Sequence, residues 1–187
     1  MRITGGAARG RALRAPRGSK LRPTADKVRA AIFNILASRG DIAGGCWLDL
    51  FAGTGALGLE ALSRGATRVT FVDDSRESCR FVRDNLERSG FADQAEVYKL
   101  PLPGGLRRFR LRKERFDGAF VDAPYRRGLS QRTLQALGEG ALLIPGAWVV
   151  VEHAADEPLA ERYGALRLDN SRCYGSTGVS LYAMEEK

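Results

Sequence analysis

From Cys46 to the C-terminus the chain alternates short apolar runs with longer amphipathic stretches, and this alternation restricts its fold more than any other feature. Trp47-Leu48-Asp49-Leu50-Phe51 reads as a strand, Gly55 to Ser63 as a helix opened by a glycine-rich turn, and Val69 to Asp73 as a second strand. A helix capped by Asp74 or Ser75 then runs to about Arg88, with Cys79, Val82 and Leu86 on its inner face. Ala95 to Leu100, Phe116 to Asp122 and Ala147 to Glu152 are further strands, with a helix from Leu129 to Leu142 between the last two. Leu166 to Leu168 and Val179 to Met184 close the chain as a pair joined through the Gly175–Gly178 turn. Strands separated by helices pair in parallel, whereas strands on a short connection pair antiparallel. The expectation is an α/β fold: a doubly wound, mainly parallel sheet of seven strands with an antiparallel C-terminal pair.

The first forty residues follow different rules. Residues 1–17 alternate glycine with basic and small apolar residues, as in Arg2-Ile3-Thr4-Gly5-Gly6 and Arg9-Gly10-Arg11, and predict a hairpin of two short strands. Gly18-Ser19-Lys20 reads as loop. Pro23-Thr24 reads as a helix entrance, with Thr24 as the N-cap and Asp26 in the first turn. Val28, Ala31, Ile32, Ile35 and Leu36 then form one apolar helical stripe, and Gly40 ends it. The division expected is a basic arm over residues 1–22 and a main domain over residues 23–187. Residues 1–40 hold ten Lys/Arg against Asp26, whereas residues 41–187 hold 20 basic and 21 acidic residues. The net charge of +8 therefore lies wholly in the first forty residues, which suits an arm for a polyanion. A second basic run, Arg107-Arg108-Phe109-Arg110-Leu111-Arg112-Lys113, fits a solvated helix face or a second phosphate contact, and the solvated face is preferred.

Other classes are disfavoured. Cys46, Cys79 and Cys173 are odd in number and widely spaced, which predicts buried, reduced thiols and a cytoplasmic protein. The single histidine, His153, lies just past an apolar strand with no other reactive group nearby, so neither a histidine-based metal site nor a Ser-His-Asp triad is expected. No apolar run approaches the ~18 residues that span a bilayer, and the basic N-terminus lacks the apolar stretch of a signal peptide.

Chemistry concentrates at two strand ends. Gly53, Gly55 and Gly58 match GxGxxG, and Asp73 follows Gly53 by twenty residues, where a ribose-binding acid belongs. By that pattern alone a nicotinamide dinucleotide fits as well. Asp49 helps to decide, because a carboxylate beside the turn would repel a pyrophosphate but favours the ammonium and sulfonium of S-adenosylmethionine. The second strand end reads Asp122-Ala123-Pro124-Tyr125. An exocyclic amine on a base is a poor nucleophile because its lone pair is delocalised into the ring. Acceptors from Asp122 and the carbonyl of residue 123 can draw that lone pair out. Pro124 rigidifies the turn, and Tyr125 offers a stacking face worth about 1–3 kcal/mol for a base.

The segment Leu48 to Ala66 resembles the first motif of Rossmann-like S-adenosylmethionine methyltransferases. This resemblance implies that Phe51, Ala52, Gly53, Thr54 and Gly55 line the methionine end of the cofactor. It implies also that Asp73 takes the ribose and that Asp74 lies near the adenine. Residues 122–125 resemble the Asp/Asn-Pro-Pro-Tyr/Phe motif of amino-methyltransferases, with Ala123 in place of the first proline. The N-terminal segments, Leu21-Arg22-Pro23-Thr24 and Phe33-Asn34-Ile35-Leu36, together with Asp49 to Ala66 and Asp122 to Gly128, resemble the RsmD-type 16S ribosomal RNA guanine-N2 methyltransferases over nearly the whole chain. That likeness implies methylation of one guanine N2 in the RNA of the 30S subunit or its assembly intermediate, by a monomer. Arg9, Arg11, Arg22, Lys27 and Arg29 would grip phosphates, and Arg126 and Arg127 would flank the target. Thr24 and Asn34 could instead close the cofactor pocket. Two other readings stay open: an amino-methyltransferase for adenine N6 or a glutamine amide, and a protein of another class, either an oxidoreductase using NAD or a catalytically inactive RNA-binding module.

Overall fold

The computed structural model describes residues 1–16, 23–40 and 42–186, with residues 23–25 described in backbone only. The chain forms two compact units, Met1–Lys99 and Leu100–Lys187. Among the described residues, no helix is long and apolar enough to cross a membrane.

The first unit contains α1 (Pro23–Arg39), β1 (Cys46–Leu50), α2 (Ala56–Ser63), β2 (Arg68–Asp73), α3 (Arg76–Ser89) and β3 (Ala95–Lys99). Its strands are parallel in the order β3-β2-β1, with Leu48 opposite Thr70 and Val72 opposite Tyr98. Leu48, Leu50, Phe71 and Val72 on the strands and Leu59 and Val82 on the helices are wholly buried. Each such side chain stabilises the unit by about 1.5–3 kcal/mol. Ser75 caps α3 by accepting from the Ser78 N–H at 3.3 Å, and left-handed Gly90 ends that helix. The helix α1 begins at Pro23, so Thr24 stands one residue inside it instead of at its cap. Val28, Ile32, Phe33 and Leu36 of α1 are buried, and Asn34 is exposed.

The N-terminal segment pairs as expected but only in part. Arg2 and Ala12 form an antiparallel bridge, extended by Ile3 N–H to Arg11 O at 3.0 Å and Leu13 N–H to Met1 O at 3.1 Å. No strand is continuous there, because the segment spends its other backbone groups on α2 and α3. The Ala7 N–H donates to Ser63 O at 2.7 Å, and the Ala8 N–H to Ser63 Oγ at 2.9 Å. Gly6 has φ +73° at this contact, and a Cβ on it would lie 1.7 Å from Ser63 O, so only glycine lets the two backbones meet. Ile3, Ala8 and Leu13 are buried. The segment is thus part of the packed unit. The expected loop over Gly18-Ser19-Lys20 lies outside the described residues.

The second unit contains α4 (Arg107–Leu111), β4 (Phe116–Val121), α5 (Leu129–Glu139), β5 (Leu143–Ala154), β6 (Arg162–Tyr163), β7 (Leu166–Tyr174) and β8 (Thr177–Met184). Here β4 and β5 are parallel, and β5-β8-β7-β6 continue antiparallel. Among the described residues the strands number eight, not the expected seven. The additional strand, β6, is two residues long, too short to carry a period-two pattern. The class is the one expected: Rossmann-like α/β, mainly parallel, with antiparallel C-terminal strands.

His153 is a core residue. It is 5% exposed, its Nε2 lies 2.9 Å from Ser180 Oγ, and its ring fills the space beside Gly178. The cysteines depart from expectation: only Cys79 is buried, Cys46 is intermediate and Cys173 is exposed on β7. Residues 170–176 near the β7–β8 turn are mostly exposed or partly exposed, which places Cys173 in solvent.

Candidate functional site

In the first unit, β1 delivers Asp49 and Phe51 to the turn that opens α2. Phe51 has φ +61°, a left-handed conformation that is strained for an aromatic residue and tends to occur at functional sites. Gly55 N–H to Ala52 O at 2.7 Å closes the turn. The turn is tied to β2 by Asp73, which accepts the Gly53 N–H at 2.9 Å through Oδ2 and the Ser75 N–H at 2.9 Å through Oδ1. A carboxylate has about four acceptor positions, so Asp73 retains capacity for ribose hydroxyls. Asp74 beside it is exposed.

The three motif glycines do different things. Gly53 has φ +55°, and a Cβ on it would meet nothing nearer than Phe51 O at 4.0 Å, so the space beside it is open to a ligand. A Cβ on Gly55 would instead press on Phe71 at 3.2 Å and Val82 at 3.3 Å, and one on Gly58 would collide with Phe71 at 2.3 Å. Gly55 and Gly58 therefore serve helix–sheet packing, and any part of Gly55 in binding runs through its main chain.

Asp49 is 1% exposed and accepts the Gly58 N–H at 2.8 Å, which braces the start of α2. Burial raises its pKa from 3.8 to about 7, against the lowering effect of the Gly58 hydrogen bond; the charge of Asp73 raises it further. Among the described residues no basic side chain forms an ion pair with it. Asp49 thus lies beneath the turn and offers no exposed contact.

Sequence reasoning missed the buried polar residues that hold the N-terminal segment to this turn. Asn85 of α3 is wholly buried, accepts the Arg14 N–H at 2.7 Å and donates to Arg14 O and to Thr54 O, each at 3.0 Å. Glu60 of α2, also wholly buried, accepts Thr4 N–H and Thr4 Oγ–H at 2.7 Å and Arg64 Nε–H at 2.9 Å. The available signal was a polar residue inside an apolar stripe: Asn85 follows Cys79 and Val82, and Glu60 interrupts Leu59-Ala61-Leu62.

The basic residues divide. Arg9, Arg11 and Lys27 are exposed, with Arg11 donating to Arg88 O at 2.8 Å. Arg29 does not reach the surface. It is 4% exposed, donates to Asp26 at 2.9 Å and to Arg2 O, and has Nε 3.4 Å from Glu60 Oε2. A guanidinium enclosed by two carboxylates does not present itself to a phosphate, so the expected grip by Arg29 is corrected to a structural role. Arg22 lies outside the described residues, as does the side chain of Thr24.

In the second unit, β4 ends at Val121 opposite Val151 of β5, and the loop follows. Asp122 and Pro124 are exposed, whereas Ala123 is 1% exposed and faces the interior. Tyr125 is half-buried, and its hydroxyl donates to Glu152 Oε1 at 3.0 Å. Burial, and then the charges of Glu152 and Asp122, push its pKa well above the usual phenol value. The phenol stays protonated and its ring orientation is pinned. Arg126 has φ +58°, pairs with Asp156 at 2.8 Å in an exposed ion pair, and has its N–H on Glu157 at 3.2 Å. Such an exposed pair is screened by solvent and holds the guanidinium only weakly. Arg127 is exposed.

The family described as Conserved hypothetical protein 95 matches residues 1–183. The chain belongs to this family. It is 37% identical over 182 residues to the putative rRNA methyltransferase YlbH of Bacillus subtilis, covering 97% of this chain and 98% of that protein. It is 35% identical over 185 residues to ribosomal RNA small subunit methyltransferase D of Escherichia coli K12, covering 99% and 90%. The solved structure of the putative methyltransferase yhhF from Escherichia coli superposes with a TM-score of 0.82 at 34% identity, covering 100% and 99%. Both the glycine turn and the 122–125 loop lie within the family match.

Proposed function

We propose that this chain transfers a methyl group from S-adenosylmethionine to the exocyclic N2 amine of a guanine in small-subunit ribosomal RNA. Near-full-length similarity to ribosomal RNA small subunit methyltransferase D supports the substrate class. The observation that carries the chemistry is the pair of loops at strand carboxyl ends, where ligands bind in open α/β sheets.

The first unit has the features the cofactor requires. The open space beside Gly53 accepts the methionine end, and Phe51, Ala52, Thr54 and the main chain of Gly55 would complete its lining. Asp73 would accept ribose hydroxyls, and Asp74, which is exposed, would lie near the adenine. The uncompensated carboxyl of Asp49 favours a cation over a pyrophosphate, which separates this reading from a nicotinamide dinucleotide. When bound, the cofactor supplies an electrophilic methyl on a sulfonium.

The remaining work falls to the second unit. Asp122 and the Ala123 carbonyl accept the hydrogens of the amine and direct its lone pair. Tyr125, held by Glu152, stacks on the unpaired base. Arg126 leaves Asp156 for a phosphate beside the target, and Arg127 supports it. Apposition of amine and methyl supplies much of the rate. Arg9, Arg11 and Lys27 contact phosphates, which positions the enzyme without reading sequence. The substrate is the 30S particle or its assembly intermediate, which places the enzyme in the cytoplasm.

Two measurements test this. S-adenosylhomocysteine raises the melting temperature and NAD does not; the reverse result overturns the methyltransferase reading. Radiolabelled methyl transfer is compared among 30S particles, free 16S RNA and naked DNA, and the product is mapped. Label on guanine N2 of 16S RNA is expected, and label on adenine N6 or on protein would overturn it.

A further inference from the structure

We propose that residues 107–115 form a second RNA-backbone-binding surface, separate from the catalytic loop, that engages a distant part of the same folded ribosomal RNA. This rests on the rRNA reading above. The segment reads Arg107-Arg108-Phe109-Arg110-Leu111-Arg112-Lys113-Glu114-Arg115, six cations against one acid. The structure shows the exposed helix face expected on sequence grounds, and the ligand proposed for that face is RNA backbone.

Three observations carry the inference. First, the segment is anchored. Leu106 and Phe109 are wholly buried, and Phe109 packs edge-on against Phe116 at 6.3 Å between ring centroids. The cations are therefore displayed from a fixed backbone, so binding orders their side chains but not the main chain. Arg107, Arg110 and Leu111 share one helical face by their i, i+3, i+4 spacing. The chain then leaves the helix through Arg112 and left-handed Lys113, at φ +55°, which sets further cations beside that face.

Second, Leu111 is 72% exposed, and among the described residues it is the one large hydrophobic side chain in that state. It stands in the middle of the most cationic stretch of this unit. In that position it can add to the phosphate contacts, because an apolar side chain between arginines can pack on a ribose or an unstacked base.

Third, the location separates this surface from the loop. The segment precedes β4, whereas Asp122 follows it, and a six-residue strand spans roughly 20 Å. No single nucleotide bridges that length. A partner engaging both ends of β4 is extended, anionic and folded, as ribosomal RNA is.

The test uses the full chain and direct binding to naked 16S RNA and to 30S particles across a salt series. The triple variant R107Q/R110Q/K113Q is expected to bind both about tenfold more weakly near physiological salt, with the slope of log affinity against log salt reduced by about 2–3. The charge-preserving variant R107K/R110K/K113R is expected to keep the original slope. Leu111→Ser is expected to weaken binding several-fold at unchanged slope. An unaltered slope in the glutamine variant, with its melting temperature intact, overturns the proposal. Weakening confined to 30S particles, with naked RNA bound normally, assigns the surface to a ribosomal protein and also overturns it. If the original chain neither binds nor methylates RNA, the rRNA reading itself fails, an outcome distinct from failure of this surface alone.

Discussion

At the scale of single residues, charge and burial act against each other around the glycine turn. Among the described residues Asp49 forms no ion pair, and burial lifts its pKa from 3.8 to about 7. A raised carboxyl pKa means that the folded state holds the proton more tightly than the unfolded chain. The stability it contributes is therefore complete below about pH 4 and is lost as pH rises towards 7. A bound cation reverses the preference by favouring the carboxylate. S-adenosylmethionine affinity, measured by calorimetry, is expected to rise with pH and level off above about 7. In Asp49→Asn, where the Gly58 N–H keeps an acceptor, that rise should vanish. In the second unit, Asp122→Ala is expected to lose about 10²-fold or more in methyl transfer while keeping cofactor affinity. Full activity in that variant would place the chemistry in another loop.

At the scale of elements, the N-terminal segment, α2, α3 and the glycine turn form one hydrogen-bonded assembly. Asn85 connects Arg14 of the segment to Thr54 of the turn, and Glu60 accepts from Thr4 and Arg64 and forms an ion pair with Arg29. Removing a buried partner leaves the others unsatisfied, at about 1–3 kcal/mol per orphaned group. Asn85→Ala is thus expected to lose about 2–3 kcal/mol in denaturant unfolding. It should also loosen two places at once: faster amide exchange in residues 1–16 and weaker S-adenosylhomocysteine binding. Loss of stability with unchanged cofactor affinity would show that the turn does not depend on this link. Glu60→Ala, which leaves Arg29 without its buried counter-charge, is expected to lose about 3–5 kcal/mol.

At the scale of the whole molecule, the charge excess in residues 1–40 predicts salt-dependent RNA binding, but the structure changes how this is tested. Deleting the first residues would strip Ile3, Ala8 and Leu13 from the core and confuse stability with binding. The double variant R9Q/R11Q leaves that packing intact. It is expected to lower the salt slope by about 2 without moving the melting temperature; an unchanged slope would mean that these two arginines touch no phosphate.

Sequence pattern and composition determined the mainly parallel α/β fold, the glycine turn and the Asp122–Tyr125 loop at two strand ends, and the asymmetry of charge. These are local or additive properties: period two against 3.6, a glycine turn after a strand, a count of cations. Tertiary structure alone decided which members of each pattern face a ligand. Gly53 faces open space, whereas Gly55 and Gly58 face Phe71. Arg9 and Arg11 face solvent, whereas Arg29 is enclosed by Asp26 and Glu60. Asp49 lies beneath the turn, not on it, and Asn85 ties the first residues to that turn. Even the two-residue strand β6 exists only through its pairing with β7. Burial and partner choice depend on residues far apart in the chain, 71 positions in the case of Arg14 and Asn85, and no local pattern encodes such a contact.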